Sequence, residues 1–496
     1  MNNLTSIQNF KNKHIHFVGI KGTGMVALVE LLLKRGAIIS GSDVSERFYT
    51  DEILEKYGIK PLPFSKDNIS DDVSLVIYSS AYNFSSNPDL ISAKEKNIPT
   101  LLYSQMLGEY SKTAFSAGIC GVHGKTTTTG LSGTIFRELP LKGQSLAGSI
   151  ISSFGNSCTF TSENLDSTEK PFFIAETCEY QRHFMAFEPK IIVLTSVESD
   201  HQDYYPTFSD IQNAFVDYIC KLPQNGKLIY CFDDEGARQT AKIAFDKRND
   251  LILIPYGKKC DSSYKITIKE LKNGEQNFNI SSLGDFAIKV PGIHNVLNAT
   301  AAVALNIEFL KEENIGVKEN LDKIRKGLLN FKGGKRRSEV LGIRKNASGK
   351  EIIFIDDYGH HPTAINSTLE GFKNFYSNHK LIVDFMSHTY SRTESLFEEF
   401  ASCFSSADKV IINKIYASAR ENAANSKVTG ELLAKEAQKF HKDVTYCQEF
   451  ADAARVAQKL LNEDCGNCDG YVFVTMGAGD NWKVSKILME EYFNKE

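Results

Sequence analysis

The sequence predicts an α/β protein of three domains, each built on a mainly parallel sheet with flanking helices. Its length of 496 residues corresponds to about three domains of roughly 150 residues each. Along the chain, apolar strands repeatedly run into glycine-rich or polar turns and then into helices. This alternation is typical of parallel sheets that are covered by helices. We predict domains over residues 1–112, 113–333 and 334–496.

The first block opens with HIHFVGIKGTGMVALVELLLKRG, which predicts a buried strand over 14–20 and a helix over about 25–33. Gly36 marks the expected end of that helix. IISGSD and LVIYSSAY follow as further strands. The glycine turn does not fit the dinucleotide fingerprint G-x-G-x-x-G, but its amides can still bind a pyrophosphate. Together these features favour a nucleotide-binding domain, with candidate residues Gly19, Gly22, Gly24, Ser42, Asp43, Ser79 and Ser80.

The second block starts with a strand in TAFSAGIC, and a helix is expected from about Thr127. Residues 262–290 alternate in polarity and contain NG and LG turns, which predicts antiparallel hairpins at the edge of the sheet. HNVLNATAAVALNIEFL then has the pattern of a helix. Further strands are expected at 172–177, 190–197 and 227–233.

The stretch AGICGVHGKTTTTG has the Gly-Lys-Thr end of a phosphate-binding loop, although Ile119 stands where G-x-x-x-x-G-K-[ST] has its first glycine. A helix N-terminus offers unpaired N–H groups and partial positive charge to phosphate oxygens. Lys125 can reach the β and γ phosphates, and the Thr126 hydroxyl can bind Mg²⁺. The alternative is a plain glycine- and threonine-rich turn. The strand, the glycines and the helix together favour a P-loop ATPase-type domain.

Hard oxygen ligands for Mg²⁺ are expected near this loop. Glu176 ends the next predicted strand and Glu179 follows it, while His201 lies beyond another strand. Asp200 and Asp203 are competing ligands. A single carboxylate at a strand end is often a helix cap, and a single histidine is often structural. Their position on consecutive loops beside a phosphate-binding loop favours the metal-binding interpretation.

An adenine contact is predicted in HNVLN at 294–298, which opens a helix after the hairpins. The amides of Asn295 and Asn298 offer paired donors and acceptors that match the adenine edge. The alternative is a helix N-cap followed by residues that face the core.

The third block contains EIIFIDDYGHHP, KLIVDFM, KVIINKIY and YVFVTMGAGD, each an apolar strand that ends in polar or glycine residues. Ligands of α/β sheets bind at the carboxyl ends of strands. There Arg392 can clamp a carboxylate with two hydrogen bonds, and His361 can orient or deprotonate an amine. Asp356 or Asp357 can bond a ribose hydroxyl. The basic run at 335–337 can meet a phosphate or form a solvated linker.

The bulk properties exclude several classes of protein. A net charge of −4 argues against a protein that coats nucleic acid or an acidic membrane. No apolar run is long enough to span a bilayer, and the N-terminus lacks the pattern of a signal peptide, so a soluble cytoplasmic protein is expected. Cys465 and Cys468 have C-x-x-C spacing but no second pair, which predicts free thiols in a turn-rich loop rather than a zinc site.

Taken in order, ten motifs of this chain resemble those of the Mur ligases: GIKGTGM, SGSD, GVHGKTTTT, FIAETCEYQRHF, TSVESDHQDYY, HNVLN, KRR, DDYGHHPTAI, SHTYSR and MGAGD. The resemblance runs through nearly the whole chain. It also accounts for the unusual loop, because Mur ligases use G-x-x-G-K-[ST]-[ST] and the stretch from Gly121 to Thr127 conforms to that pattern.

The resemblance implies a UDP-sugar-binding Rossmann-like domain, an ATP-binding domain and an amino-acid-binding Rossmann-like domain. It implies ATP-dependent attachment of L-alanine to the lactyl carboxylate of UDP-N-acetylmuramate through an acyl phosphate, with Mg²⁺ or Mn²⁺, in peptidoglycan precursor synthesis. We expect ATP to bind first and the amino acid last, in a monomer or dimer without nucleic-acid or membrane partners. The alternatives are a Mur-type ligase for another amino acid or a murein peptide, and, from a different class, a non-catalytic nucleotide-binding sensor.

The resemblance also implies roles for individual residues. Those expected to bind ATP are Gly121, Val122, His123, Gly124, Lys125, Thr126, Thr127, Asn295, Asn298, Arg337 and Asp357. The UDP-sugar residues are Gly19, Gly22, Gly24, Ser42, Asp43, Ser79 and Ser80. The amino-acid residues are Tyr358, His361, His388 and Arg392. The metal ligands are Thr126, Glu176 and His201. The catalytic residues are Lys125, His361 and Arg392.

Three positions depart from the Mur ligase pattern. Ser196 stands where many relatives have Asn, and Thr389 stands where Gram-negative members have an additional Arg. Lys21 replaces a small residue in the first glycine turn. The carbamylated lysine of sister enzymes is not expected, because His201 occupies the metal role.

Overall fold

The computed structural model describes residues 10–163, 165, 171–272, 274–417 and 426–493. Its strands form three sheets of four, ten and six strands that follow one another along the chain. Helices alternate with most of these strands and flank the sheets. The predicted α/β architecture with three mainly parallel sheets is therefore confirmed.

The N-terminal part of the chain forms a parallel sheet in the order β2-β1-β3-β4. Its elements are β1 (His14–Val18), α1 (Thr23–Lys34), β2 (Ile38–Ser42), α2 (Asp51–Lys56), β3 (Val73–Tyr78), α3 (Pro88–Glu95), β4 (Thr100–Leu102) and α4 (Tyr103–Ser111). Helix α1 is buried along most of its length because its apolar residues pack against the sheet. It ends shortly before Gly36, which has a φ of +80°, and this confirms the predicted helix end.

The central part of the chain forms the ten-stranded sheet. Its elements are β5 (Phe115–Cys120), α5 (Lys125–Glu138), β6 (Gly143–Ile151), β7 (Ser157–Thr161), β8 (Phe172–Glu176), β9 (Ile191–Leu194), α6 (Phe208–Ile219), β10 (Lys227–Cys231), α7 (Glu235–Lys247), β11 (Ile252–Gly257), β12 (Tyr264–Lys272), β13 (Glu275–Ile280), β14 (Gly284–Ile288), α8 (Ile293–Glu312) and α9 (Leu321–Asn330).

Strand order in this sheet is β14-β13-β12-β11-β10-β9-β5-β8-β6-β7. The strands β12 to β14 pair antiparallel at one edge, which confirms the predicted hairpins. At the other edge β6 and β7 form an antiparallel pair that sequence reasoning did not anticipate. Strand β5 lies between β8 and β9 and is parallel to both. The carboxyl ends of these three strands therefore meet at one edge, where α/β sheets bind ligands.

The C-terminal part of the chain forms a sheet in the order β15-β16-β20-β17-β18-β19, in which only β15 is antiparallel to its neighbour. Its elements are β15 (Glu339–Lys345), β16 (Glu351–Asp357), α10 (Pro362–Phe375), β17 (His379–Phe385), α11 (Tyr390–Ser395), α12 (Phe397–Ser402), β18 (Lys409–Ile412), α13 (Gly430–Ala437), β19 (Val444–Tyr446), α14 (Phe450–Leu461), β20 (Gly470–Met476) and α15 (Trp482–Ile487). The four strands expected here are all present.

The N-terminal and central sheets share a hydrophobic core, because α1 packs against β6 and β7. Within this contact the buried Glu30 carboxylate accepts hydrogen bonds from the Ser157 hydroxyl at 2.6 Å and the Cys158 amide at 3.1 Å. The central and C-terminal parts meet through a bridge between Ile151 and Gly334. The three sheets are thus joined by specific contacts as well as by the chain.

The loop between α14 and β20 corrects one prediction. The structure records a disulfide between Cys465 and Cys468, so the prediction of free thiols there is wrong. The turn brings their Cα atoms to 5.7 Å, within the range that a disulfide spans. Among the described residues, no helix is both long and apolar enough to cross a bilayer.

Candidate active site

The loop between β5 and α5 curls so that the helix N-terminus faces a cavity. Gly121 has a φ of +134°, and a Cβ added there would lie 2.2 Å from the Thr195 hydroxyl. Gly124 caps α5 with a φ of +84°, and a Cβ there would lie 2.5 Å from the Asn298 side-chain oxygen. Both positions therefore require glycine. The first amides of α5 have no partner within the helix, which makes this end suited to an anion.

The segment that follows β9 braces this loop. Ser196 accepts a hydrogen bond from the His123 amide through its hydroxyl at 2.8 Å. Its carbonyl accepts one from the Val122 amide at 3.1 Å. The serine that departs from the family pattern therefore has a direct contact with the loop. Because two loop amides are used in this way, the donors that remain for an anion are those at the start of α5.

Lys125 forms a buried ion pair with Glu179 in this structure. Its ammonium lies 2.9 Å from the Glu179 carboxylate and 3.3 Å from the Val122 carbonyl. Burial alone lowers the pKa of Lys125, but Glu179, with Cys178 and Glu176, outweighs burial and raises it. Burial likewise opposes ionisation of Glu179, but the Lys125 charge and the neighbouring His201 lower its pKa. Both groups are therefore charged, and each compensates the charge of the other.

The residues predicted to hold a metal ion lie around this pair. Thr126 and Glu176 line the same cavity as Lys125. His201 lies 3.5 Å from the Glu179 carboxylate, while the Glu176 carboxylate accepts a hydrogen bond from the Gly148 amide at 2.7 Å. Glu179, which the sequence left as a neighbour of Glu176, is thus the carboxylate nearest to His201.

A cavity of about 470 Å³ lies between the loop, the carboxyl ends of the central strands and the C-terminal part. Many of the residues predicted to bind ATP, metal or amino acid line it. They are Val122, His123, Gly124, Lys125, Thr126, Thr127, Glu176, His201, Asn295, Asn298, Arg337, Asp357 and Tyr358. Gly121 immediately precedes the first of these lining residues. His361, His388 and Arg392 do not line the cavity but contact one another or residues of its wall.

The two asparagines of α8 contact α5 as well as the cavity. The Asn298 side-chain oxygen accepts a hydrogen bond from the Thr128 hydroxyl at 3.2 Å, and its amide donates to Asn295 at 3.3 Å. The Asn295 amide donates to the Pro291 carbonyl at 2.6 Å. These bonds hold the amides at fixed positions on the wall of the cavity.

The end of β16 contributes a second wall. The Asp357 carboxylate accepts hydrogen bonds from the Ser338 amide at 2.7 Å and the Gly359 amide at 2.8 Å. The Arg337 guanidinium lies 5.0 Å from the centre of the Tyr358 ring. Asp356 is paired instead with Arg336 at 2.8 Å. Of the two aspartates named from the sequence, only Asp357 lines the cavity.

Arg392 is buried and paired with Asp200, which links the C-terminal part to the central part. The Arg392 guanidinium donates to one Asp200 oxygen at 2.8 and 3.1 Å. Burial opposes ionisation of Asp200, but Arg392 together with the neighbouring His201 and His360 outweighs burial and holds the pKa of Asp200 well below its usual range. The backbone carbonyl of His388 accepts from the same guanidinium at 3.1 Å. The proposed carboxylate clamp thus already holds a carboxylate of the protein.

His361 lies against two central residues, His123 and Glu198. The rings of His361 and His123 are 4.9 Å apart, and a nitrogen of His361 lies 3.6 Å from the Glu198 carboxylate. Burial lowers the pKa of His361, and the neighbouring His123 lowers it further. Sequence reasoning did not single out Glu198, although it lies in TSVESDHQDYY between the residues that were considered.

The residues predicted to bind the UDP-sugar gather at the carboxyl ends of β1, β2 and β3, away from the cavity. Gly19 has a φ of +82°, and a Cβ there would collide with the Tyr82 ring. The Asp43 carboxylate accepts hydrogen bonds from the Lys21 amide at 2.7 Å and the Tyr82 hydroxyl at 3.2 Å. The buried Ser42 hydroxyl has no hydrogen-bond partner among the described residues. The remaining residues of the set are Gly22, Gly24, Ser79 and Ser80.

A phosphate-binding loop in a central sheet, flanked by two smaller α/β parts that meet at its edge, defines a multidomain nucleotide-binding ligase. The chain belongs to the Mur ligase family. Three family models match it: "Mur ligase family, catalytic domain" over residues 14–114, "Mur ligase middle domain" over 119–306, and "Mur ligase, glutamate ligase domain" over 336–479.

Curated relatives agree with this membership over nearly the whole chain. The chain is 47% identical to the UDP-N-acetylmuramate--L-alanine ligase of Treponema pallidum, with 97% of each chain covered. It is 36% identical to the protein of the same name from Borreliella afzelii, with 96% of this chain and 98% of the relative covered.

Solved structures share the fold. The UDP-N-acetylmuramate-alanine ligase of Thermotoga maritima superposes with a TM-score of 0.74 at 23% identity, covering 97% of this chain and 99% of its own. A murein peptide ligase of Psychrobacter arcticus gives a TM-score of 0.63 at 20% identity, covering 96% and 98%. At these identities the likeness supports the architecture alone.

Proposed function

We propose that this protein joins L-alanine to the lactyl carboxylate of UDP-N-acetylmuramate, with ATP as the phosphoryl donor. The observation that carries the proposal is 47% identity over 97% of both chains to a relative that bears the name of this activity. The loop before α5 supports it, because its helix N-terminus and Lys125 suit a triphosphate. The proposed site of action is the cytoplasm, as a monomer or dimer.

The chemical difficulty is that a carboxylate is a poor electrophile. Transfer of the γ-phosphoryl group of ATP to the lactyl carboxylate gives an acyl phosphate and ADP. The amine of L-alanine then attacks the acyl carbon, an amide bond forms, and inorganic phosphate leaves. Phosphoryl transfer depends mainly on positioning and on neutralising charge, which we assign to Lys125 and the amides of α5.

A divalent ion would be held by oxygen ligands beside Lys125. The Thr126 hydroxyl and the Glu176 carboxylate line the cavity and match the hard ligands that Mg²⁺ or Mn²⁺ prefers. His201 and Glu179 stand next to them. When bound, the ion would neutralise charge on the transferring phosphoryl group.

The C-terminal part would supply the amino acid and exclude water from the acyl phosphate. We assign the amino-acid carboxylate to Arg392 and the amine to the neighbourhood of His361, with Tyr358 and His388 beside them. Arg392 is paired with Asp200 at 2.8 Å, so the substrate must share or replace that partner. We assign the adenine to Asn295 and Asn298, and the phosphates and ribose to Arg337 and Asp357.

The test is release of ADP from ATP with UDP-N-acetylmuramate and each of the twenty protein amino acids in turn. We expect L-alanine to give the fastest release. Fastest release with another amino acid would indicate a related ligase instead. No release with any amino acid or murein peptide, in a protein that still binds ATP, would indicate the non-catalytic sensor.

A further inference from the structure

Three side chains that could hold a metal ion converge where the central and C-terminal parts meet. His123 Nε2 lies 3.8 Å from the Glu198 Oε2 oxygen, and His361 Nδ1 lies 3.6 Å from the same oxygen. The three atoms all lie within 4.8 Å of one another. We refer to His123, Glu198 and His361 as the His–Glu–His cluster.

The imidazole nitrogens of this cluster lack partners. His123 Nε2 and His361 Nδ1 are buried, and neither has a hydrogen-bond partner among the described residues. Buried polar atoms in native proteins are nearly always satisfied, and an exception calls for a ligand or an ion. Because both nitrogens lie within 3.8 Å of one carboxylate oxygen, a single cation between them would satisfy both nitrogens.

The charges of the cluster match a cation. Burial opposes ionisation of Glu198, but the two neighbouring imidazoles lower its pKa, so its carboxylate is negative. Burial and the nearby His123 lower the pKa of His361, which keeps that imidazole neutral with a free lone pair. Neutral imidazole and carboxylate are the protonation states in which these groups bind metals.

The spacing also fits a transition metal. Bonds of about 2.0–2.2 Å to nitrogen and oxygen place the ligand atoms of a tetrahedral zinc site roughly 3.4 Å apart. The observed 3.6 and 3.8 Å are close to this value, and the two imidazole nitrogens, which lie within 4.8 Å of each other, can approach it by side-chain rotation. The Thr363 hydroxyl donates to Glu198 Oε2 at 2.9 Å, which orients the carboxylate as partners of metal ligands do.

We propose that the His–Glu–His cluster is a second divalent-cation site, selective for zinc-like ions over Mg²⁺. Two imidazoles and one carboxylate favour Zn²⁺ or Co²⁺, whereas Mg²⁺ prefers an all-oxygen shell. The site is separate from Thr126, Glu176 and His201. Because His361 belongs to the C-terminal part and the other two ligands to the central part, the ion links the two.

The test is titration of the full chain with Co²⁺ after chelation and reduction, without nucleotide or sugar. We expect one ion to bind with the visible absorption bands of four- or five-coordinate cobalt, to be displaced by Zn²⁺, and to resist Mg²⁺. In Glu198→Gln and His361→Gln, cobalt affinity should fall at least about tenfold. Zn²⁺ should raise the melting temperature of the wild type but not of these variants.

Two controls separate the alternatives. His360→Gln changes an adjacent buried histidine outside the cluster, and His201→Gln changes the proposed Mg²⁺ position, so both should keep the cobalt bands. The proposal is wrong if wild type binds no cobalt, if both cluster variants bind it normally, or if His201→Gln abolishes binding. Charge-transfer bands of cobalt bound to thiolate would show that the ion binds at cysteines, and this result would also overturn the proposal. Since no turnover is read, failure here is distinct from failure of the proposed ligase activity.

Discussion

At the scale of single residues, the ion pair of Lys125 and Glu179 shows what a sequence pattern can and cannot identify. The pair is buried and both members are ionised. The lysine was identified from the phosphate-loop pattern alone, whereas its carboxylate partner stands 54 positions away in the chain. A sequence pattern names the functional lysine but cannot say which acid compensates it before the nucleotide arrives.

Lys125→Ala should lower turnover by about 10²–10³-fold, because a preorganised charge at the phosphoryl group is lost. UDP-N-acetylmuramate should still bind. The variant should also lose roughly 3–5 kcal/mol of stability, since a buried carboxylate is left without its lysine partner. ADP release, sugar binding by calorimetry and urea unfolding measure these three effects.

The double variant Lys125→Ala with Glu179→Gln separates stability from function. It should regain most of the lost stability, because no buried charge stays uncompensated, and should remain inactive. Near-normal phosphate release in Lys125→Ala would contradict the assignment of the phosphate loop.

Arg392→Ala should raise KM for L-alanine at least about tenfold, since hydrogen bonds to a charged group contribute about 1.5–3 kcal/mol. KM for ATP should change much less. Arg392→Lys keeps the charge but cannot form two parallel hydrogen bonds to one carboxylate. Its KM for L-alanine should therefore lie between those of the wild type and Arg392→Ala. Steady-state assays that vary one substrate at a time measure these KM values. An unchanged KM for L-alanine in both variants would contradict the assignment of the amino-acid carboxylate to Arg392.

At the scale of elements, the β17–β18–α15 junction contains a buried acid. Asp384 on β17 accepts hydrogen bonds from the Asn413 amide at 3.0 Å and the Asn481 amide at 3.3 Å. Burial raises its pKa to about 7, despite these two bonds. The side-chain oxygens of both asparagines are buried without partners among the described residues, so neither accepts a hydrogen bond from a described group.

This junction predicts how stability depends on pH. Because the folded pKa of about 7 lies above the model-compound value, folding favours protonated Asp384. The stability it contributes is fully present below the unfolded value of about 3.9. It declines as the pH rises and is fully lost once the pH has passed through about 7. The wild type should therefore lose about 2–3 kcal/mol between about pH 5 and pH 8 relative to Asp384→Asn.

Urea unfolding of both proteins at the two pH values measures this difference. The variant supplies an amide donor at all pH values, so its own profile should lack this decline. A wild type and a variant with parallel profiles would show that Asp384 does not titrate in this range.

The elements also show where sequence patterns succeed. The strands that end in the phosphate loop and in DDYGHHP are mainly apolar, and the structure has them at β5 and β16. The pair β6 and β7 was missed because GQSLAGSII contains two glycines and SCTFT is only five residues long, which weakens the strand signal. Their pairing depends on burial against α1, which is a tertiary effect.

At the scale of the whole molecule, the contacts between the three parts were the least predictable features. Glu30 meets β7 more than 120 positions along the chain, and Asp200 meets Arg392 192 positions away. The family motifs indicated which residues gather at each strand end. They did not indicate that Asp200 and Glu198 would contact the C-terminal part, because no local periodicity records such pairs.

Glu30 is the place to test the contact between the N-terminal and central parts. Glu30→Ala leaves the buried Cys158 amide without its acceptor, whereas the Ser157 hydroxyl keeps the Thr159 carbonyl at 2.9 Å. The change should cost about 1–3 kcal/mol. Glu30→Gln keeps one acceptor and should cost less. Thermal unfolding gives the order, and equal stability of all three proteins would show that this buried contact contributes little.

The pairing of Arg392 with Asp200 has a consequence for selectivity. Cells contain abundant monocarboxylates such as lactate and acetate, and an open guanidinium would collect them. Since Asp200 already occupies the guanidinium at 2.8 Å, an incoming acid must compete with an internal one. A molecule that offers only a carboxylate gains little from that exchange, whereas one that also brings an ammonium group can compensate the displaced Asp200. With Arg392 as the proposed carboxylate site, we therefore expect Asp200 to disfavour simple acids relative to amino acids.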